Sequence, residues 1–450
     1  MSFKQKIISI IGQGFIGLPM SIVLSNVKKN NKNIYKVFGI EKLNNNGKRI
    51  QTLFKNKKIW INSTDKKLNF YFKKNINKNF FLTFNYDKIK ESEVVILSIG
   101  FDFSKKNSIE KIKKTIEKIF ENIQENKMLI IETPLPPGTS EKILIPIAKK
   151  VFDKRNLDFS KFSFCYSFER IMPGENYLNS IININRVFSG NTMIAKKKCK
   201  TFLEKFINYK KYKLICLDKI IDVEATKVFE NTYRATNIAL IDEWLKYAQK
   251  TNINLNESLE AIRQRPSHSN IRYPGLGVGG YCLTKDPLFL DYSAKKIFNI
   301  KNEFPITNTS ININKKMILN SVNFIKSNLK MKNNQKLLIV GLGYKDGVSD
   351  LRNSPSIELQ KYLLKYNFKI FYYDDLITNL PNKNLKHLNS KKQINQIENI
   401  VICQKTSFFK RIRFNLDNKP KNIFDLNNIL SKKLILKIQS SKSKLHVLGS

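Results

Sequence analysis

Histidine is nearly missing from this chain: there are three in 450 residues. Cysteine is scarce as well, with five residues at 165, 199, 216, 282 and 403, odd in number, far apart and never in a C-x-x-C pair. Imidazoles and paired thiolates are the usual ligands of structural zinc, so their scarcity argues against a metal centre, and no metal-ligating set is expected. The same spacing argues against a disulfide scaffold, and a reducing cytoplasm is the expected compartment. Long apolar runs are absent too: none reaches the ~18 residues of a spanning helix. The basic-then-apolar stretch up to Leu24 is broken by Gly12, Gln13, Gly14 and Gly17 and lacks a convincing small-residue cleavage pattern, which excludes a signal peptide as its reading. Acidic residues are few, 36 against 80 Lys and Arg, for a formal charge of +44. Such a charge raises a nucleic-acid or membrane partner. The cations are scattered among Asn and Ile, however, without a basic arm or stripe, and a compositional bias of the kind an AT-rich genome imposes accounts for them better.

What is present is core. A hydrophobic fraction of 42% with 31 Phe supports globular packing, and the length implies two or three domains. Residues 6–25, KIISIIGQGFIGLPMSIVLS, read as a strand, a glycine turn and a helix starting near Phe15. Gly12, Gly14 and Gly17 match G-x-G-x-x-G in the context that motif requires: the first permits a tight turn, the second lets backbone approach a pyrophosphate, and the third lets helix pack on strand. The phosphate would sit at the helix N-terminus. A second strand, YKVFGIE, ends in Glu41, placed to accept hydrogen bonds from ribose hydroxyls and to disfavour a 2′-phosphate. EVVILSI (93–99), MLIIE (128–132) and the helical stretch between them continue an alternating α/β pattern. Residues 336–375 repeat the theme of strand, glycine turn, helix, strand and acid, without the third glycine, and strands follow in 398–406 and 421–429.

Between these halves, residues 222–250 hold neither glycine nor proline and read as one long helix, with Val228, Ala235, Ala239 and Leu240 at roughly helical spacing. Lys227 and Asn231 stand at i and i+4 on one face, by default a solvated pair. GLGVGGYCLTKDP (275–287) sets Cys282 behind a glycine pair and just before Lys285 and Asp286. A buried cysteine is ordinarily a small hydrophobe; the alternative is a nucleophile held near phosphates, and spacing alone leaves both open.

Taken in order, GQGFIGLP (12–19), LPPGTSE (135–141), FERIMPG (168–174), EATKVFENTYRATNIALIDE (224–243), PGLGVGGYCLTKDP (274–287) and GLGYKDGVSDLRNSPS (341–356) resemble the UDP-glucose/GDP-mannose dehydrogenase family over nearly the whole chain. The resemblance implies two Rossmann-like doubly wound domains joined by a helical central domain with one long, dimer-forming helix. The expected bounds are 1–210 for the NAD domain, 211–320 for the centre and 321–450 for the nucleotide-sugar domain. It also implies a homodimer that uses NAD to oxidise the primary alcohol of a UDP-sugar to a carboxylate, four electrons in all. Carried over by motif, Cys282 is the nucleophile, Lys227 and Asn231 hold the reacting oxygen, Asp286 assists proton transfer and Glu169 serves the hydrolytic step. Gly12, Gly14, Phe15, Ile16, Gly17, Glu41, Thr133, Lys285 and Arg352 fall to the cofactor. Arg170, Arg272 (with Arg265 or Arg263 as alternatives), Tyr273, Gly279 and Lys345 fall to the substrate.

Several positions depart from the family pattern. IGFD (99–102) stands for V-P-T-P, Thr133–Pro134 for S-T, Phe168 for the proline of P-E-R, and Asn427 for an arginine. These put cofactor affinity and water handling in question while leaving Lys227, Asn231, Cys282 and Asp286 intact. Pro173, where glucose-oxidising relatives tend to carry a second glutamate, and the run through Cys282 look nearer to the branch acting on N-acetylated hexosamines. Two other readings stay open: a nucleic-acid-binding protein on a reused dehydrogenase scaffold, prompted by the charge, and a two-electron sugar dehydrogenase, which would not need Cys282.

Overall fold

The computed structural model describes residues 4–61, 63–103, 107–329, 335–380, 385–408 and 421–450. They form two units: Met1–Glu230 with Leu288–Glu303, and Asn231–Pro287 with Phe304–Ser450.

The first unit is built on β1 (Lys6–Ile11), α1 (Gly17–Ser25), β2 (Tyr35–Ile40), β3 (Phe80–Thr83), β4 (Val94–Leu97), α2 (Ser108–Phe120), β5 (Met128–Ile131), α3 (Ile145–Lys154), β6 (Ser163–Tyr166), β7 (Arg186–Gly190), α4 (Met193–Leu203) and β8 (Leu214–Cys216). The sheet order is β3-β2-β1-β4-β5-β6-β7-β8. Strands β1 to β6 are parallel, and β7 turns antiparallel to β6. The first six strands follow the order of dinucleotide-binding sheets, whose ligand crevice lies where the chain changes direction outside β1 and β4. Helices cover both faces, so β1, β4 and β5 are apolar almost without alternation. Ile8, Ile10, α1 and α4 share one core; Ile11, Val95, Leu97, α2 and α3 share the other. Helix α2 shows the rule that builds such a layer: it buries Ile112, Thr115, Ile116, Ile119 and Phe120, one face at helical spacing, and exposes its lysines.

The long helix α5 spans Ile220–Thr251, its residues up to Glu230 grouping with the first unit and the rest with the second. Val228, Ala235 and Ala239 are buried as their spacing requires; Leu240, on the same apolar list, is 42% exposed, as are Phe229, Tyr233 and Tyr247 to a greater degree. In the second unit α5 is tied to α6 (Pro305–Asn328) by Asn314 donating to the Ala235 carbonyl at 2.9 Å and Asn320 donating to Asp242 at 2.8 Å. Beyond it lie β9 (Lys336–Val340), α7 (Pro355–Lys365), β10 (Lys369–Tyr373), β11 (Lys386–His387), β12 (Asn399–Ile402), β13 (Asn422–Asp425) and β14 (Lys444–Val447). The sheet order is β11-β10-β9-β12-β13-β14, all parallel. The expected architecture of two doubly wound α/β sheets with a long central helix is the one observed. Among the described residues no helix is long and apolar enough to cross a membrane.

Candidate active site

In the first unit the glycine turn has the strain and the openness its motif requires. Gly12 sits at φ +90°, and a Cβ on Gly17 would lie 1.8 Å from the Gly12 carbonyl oxygen, so any larger residue there would drive α1 off β1. Around the place a Cβ on Gly14 would take, nothing lies within 4 Å. The backbone is held from both sides. Glu41 accepts the Gln13 amide at 2.9 Å and the Lys42 amide at 3.0 Å. Trp60 donates to the Gln13 carbonyl at 2.6 Å, Tyr177 donates to the Phe15 carbonyl, and Ser98 donates to the Gly12 carbonyl at 2.9 Å. Sequence reading passed over Trp60, Tyr177 and Ser98; they lie far from the motif in the chain and nothing in their local pattern marks them. A turn aimed at a helix N-terminus with open space at Gly14 and an acid at the end of β2 fits the pyrophosphate and ribose of NAD. Thr133 is buried, its hydroxyl donating to the Ile99 carbonyl and its own carbonyl accepting from Tyr166 at 2.8 Å.

Lys227, 5% exposed, donates to the backbone carbonyl of Glu169 at 2.9 Å. The departure at Phe168 acquires a physical role here: its buried ring lies 5.2 Å from the Lys227 ammonium and 5.1 Å from the Arg170 guanidinium, an aromatic face shared by two cations. Arg170 is further anchored by Glu230 at 2.6 Å and by the Asn185 carbonyl at 3.0 Å. Glu224, one turn before Lys227 on α5, is fully buried and accepts the amides of Gly138 and Ser140, which fixes the PPGTS turn.

The second unit gathers the other candidates. Asn231 donates to Asp286 at 2.8 Å. The Cys282 carbonyl accepts the amides of Lys285 and Asp286 at 3.2 and 2.9 Å, so cysteine, lysine and aspartate occupy a single turn. Asp286 is fully buried and Lys285 nearly so, and the two form a close ion pair. Tyr281, which the sequence did not single out, is bracketed by Lys285 at 4.6 Å and Arg352 at 5.0 Å from its ring centre. Arg352 is held by both oxygens of Asp350 at 3.0 Å. Burial alone would lower its pKa; the Asp350 carboxylate outweighs that and raises it, and the Cys282 side chain adds to the rise. Arg352 is thus a permanent cation within electrostatic reach of Cys282.

The glycine pair has no room for side chains. A Cβ on Gly279 would lie 2.6 Å from Pro355, and Gly280, at φ +82°, packs on the Tyr344 ring. Asn353 ties the loop down through the Gly280 carbonyl at 3.1 Å. The departure at Asn427 is likewise structural: its Oδ1 accepts the Leu276 amide at 2.8 Å while its amide donates to the Cys403 carbonyl. Lys345 is half-buried, and its pKa is lowered by burial, with the Arg234 charge adding to the fall and Asp346 opposing it. Arg272 is exposed. Tyr273 stacks under Arg263 at 4.7 Å and lines an 810 Å³ cavity with Asn254, Glu260 and His446.

Family models match the chain in three consecutive parts, all of the UDP-glucose/GDP-mannose dehydrogenase family: the NAD binding domain at residues 6–207, the central domain at 222–316 and the UDP binding domain at 338–432. The chain is 30% identical to the UDP-N-acetyl-D-mannosamine dehydrogenase of Methanocaldococcus jannaschii over 99% of this chain and 96% of that protein. It is 28% identical to the UDP-N-acetyl-D-glucosamine 6-dehydrogenase of Salmonella typhi over 82% and 81%. The solved UDP-N-acetyl-mannosamine dehydrogenase Cap5O of Staphylococcus aureus shares the fold at a TM-score of 0.77, with 22% identity and coverage of 99% and 98%. None of these findings supports a nucleic-acid-binding role. The chain belongs to the UDP-glucose/GDP-mannose dehydrogenase family and is an NAD-dependent nucleotide-sugar dehydrogenase.

Proposed function

We propose that the enzyme oxidises the primary alcohol of a UDP-N-acetylhexosamine to the uronic acid through a covalent intermediate on Cys282, acting as a cytoplasmic homodimer. The observation that carries the reading is the single turn that joins Cys282 to Asp286, with Asn231 bonded to the aspartate at 2.8 Å. The functional division follows residues 1–210, 211–320 and 321–450. The preference for an acetylated hexosamine is supported by Pro173 and by the names of the relatives above.

NAD, when bound, accepts the hydride in each of the two oxidations. The protein's part begins with the alcohol: Lys227 and Asn231 hold its oxygen while Asp286 takes its proton and hydride leaves carbon. The resulting aldehyde has no hydrogen it can readily surrender as hydride. Addition of the Cys282 thiolate gives a tetrahedral thiohemiacetal that does. Lys227 stabilises the oxyanions of both stages; loss of one such donor costs on the order of a hundredfold in rate. The thioester left after the second hydride is opened by water, with Glu169 taking the water proton. Glu41, Gly12, Gly14, Phe15, Ile16, Gly17, Thr133, Lys285 and Arg352 serve the cofactor; Arg170, Arg272, Tyr273, Gly279 and Lys345 serve the substrate.

Absorbance at 340 nm across a panel of UDP- and GDP-sugars tests this. Two NADH per UDP-N-acetylhexosamine are expected, and a ratio of one removes the thioester route. Cys282→Ser should retain NAD binding and stop before acid release; undiminished acid from that variant removes the assignment.

A further inference from the structure

Lys227 is a buried cation with little to hold it. It is 5% exposed, and the described contacts of its ammonium are the Glu169 backbone carbonyl at 2.9 Å and the Phe168 ring, whose centre lies 5.2 Å away. No ion pair is among them. Taking an ammonium out of water is costly unless its charge is compensated, and one carbonyl serves one of its three N–H groups. The remaining compensation on the page is the negative face of the aromatic ring, an attraction that strengthens where water is excluded.

The ring is firmly seated. Ser167 donates its amide to the Ile131 carbonyl at 3.0 Å, which carries the β5–β6 ladder up to the residue before Phe168. The Phe168 side chain is 1% exposed and lies in the same core as Val223 and Val228 of α5, so the loop that bears the ring and the helix that bears the lysine are packed together. The ring's other cation is already compensated: Arg170 donates through Nε and Nη2 to Glu230 at 2.8 and 2.6 Å. Lys227 has no such partner among its described contacts, and for its task that is an advantage. A carboxylate would neutralise the charge and occupy the N–H groups that a reacting oxygen needs. A ring face draws the ammonium in while leaving its charge and two of its N–H groups available to an oxyanion.

We propose that Phe168 is a positioning residue for Lys227, its ring face holding the ammonium where it stabilises the oxyanions of the two oxidations. The proposal rests on Lys227 being the oxyanion donor. Phe168 stands where the family pattern has a proline, whose saturated ring has no π face, so the departure brings a contact that the pattern lacks. The ring takes part in no bond making or breaking; it acts through the place and the charge of the lysine.

The experiment is single-turnover NADH formation by the full-length protein with NAD and the UDP-sugar oxidised in the panel above, with the KM of each substrate measured alongside. Phe168 is replaced by phenylalanines carrying one, two and three ring fluorines, which drain the negative face while nearly keeping the shape of the ring. The rate should fall with each fluorine, by about tenfold at three, with the KM for NAD unchanged. Phe168→Leu should fall by a similar factor. Should the leucine variant fail to fold, the fluorinated series still decides, because its members fill the same space. An unchanged rate across the series overturns the proposal. A rise in the KM for the sugar with no change in rate overturns it too, since the ring would then serve Arg170 alone. In Lys227→Ala the residual rate should no longer respond to the fluorines, and a response that persists without the lysine also overturns the proposal. Failure of the underlying reading has a different signature: Lys227→Ala would turn over at the wild-type rate, and the proposal would fall with it.

Discussion

The two sheets share the same order for six strands, and each opens with a strand that ends in a glycine turn, yet the turns have diverged at the helix. In the first unit α1 begins at Gly17, directly on the turn, and packs so close to Gly12 that only glycine fits. In the second, Gly341 keeps a positive φ of +87°, but Asp346 stands where the third glycine would be and α7 waits until Pro355. The intervening loop carries Lys345, Asp350, Arg352 and Asn353 instead. Both turns are nonetheless pinned by an acid after the second strand: Glu41 accepts the Gln13 amide at 2.9 Å, and Asp374 accepts the Leu342 amide at 2.7 Å. Strand, turn and acid are therefore what the sheet requires, and the position of the helix decides how a phosphate is met. The first unit offers backbone amides and a helix dipole; the second offers side-chain cations on a loop.

The sharpest way to break this comparison is at the third glycine. Gly17→Ala places a Cβ 1.8 Å from the Gly12 oxygen, a backbone clash that should cost about 3 kcal/mol or more and abolish NAD binding, measured by denaturant unfolding and cofactor titration. The matching change in the second unit, Asp346→Ala, loses the exposed bond to the Lys405 amide at 2.7 Å and a charge beside Lys345, for about 1 kcal/mol. Equal losses would mean the turns are not different in kind.

Next comes a pair of binding changes that should cross over. Gly14→Ala has open space for its methyl, so the fold should persist while NAD affinity drops roughly tenfold or more through lost close approach. Affinity for UDP should be untouched. Lys345→Ala should do the reverse. Calorimetric titration of each variant with each ligand reads the crossover, and a variant that weakens both ligands equally would dissolve the assignment of one nucleotide to each unit.

That asymmetry also explains how much the sequence disclosed. The glycine spacing, the acid at 41 and the long helix are local patterns, and β1, β2, β4, β5 and α5 appeared within a residue or two of where those patterns placed them. The edge and late strands, β3, β6 to β8, β11 and β14, carry too few residues or too mixed a pattern to stand out, and pairing in the sheet creates them. At the site, motif positions named Cys282, Lys227 and Asp286. What supports them is non-local: Arg352 against the Tyr281 ring, Phe168 under Lys227, and Asn427 holding Leu276 from 151 positions away. No window of sequence contains such pairs.

A smaller contrast separates the two acids. Asp374 is 8% exposed and holds the Leu376 and Ile377 amides as well as that of Leu342. Asp374→Asn should therefore cost about 1–3 kcal/mol, with thermal unfolding as the readout. Glu41 is only half-buried, and Glu41→Gln should cost less than about 1 kcal/mol while weakening NAD a few-fold.

The smallest effect follows from what each unit presents to phosphate. Backbone amides carry no titratable charge, whereas Lys345 does, and burial together with the Arg234 charge brings its pKa below the ordinary lysine range. The ammonium binds anions only while protonated, so affinity for UDP should begin to fall at a lower alkaline pH than an ordinary lysine would allow; NAD affinity through the first turn should stay flat over the same interval. Added salt should act in the same sense, screening the partly exposed cations of the loop more than the amides at the start of α1. Parallel titrations of both ligands against pH and ionic strength measure the gap between the slopes. If NAD binding proved as steep as UDP binding, side-chain cations would have to be serving the first site too, and the division between an amide site and a cation site would be lost.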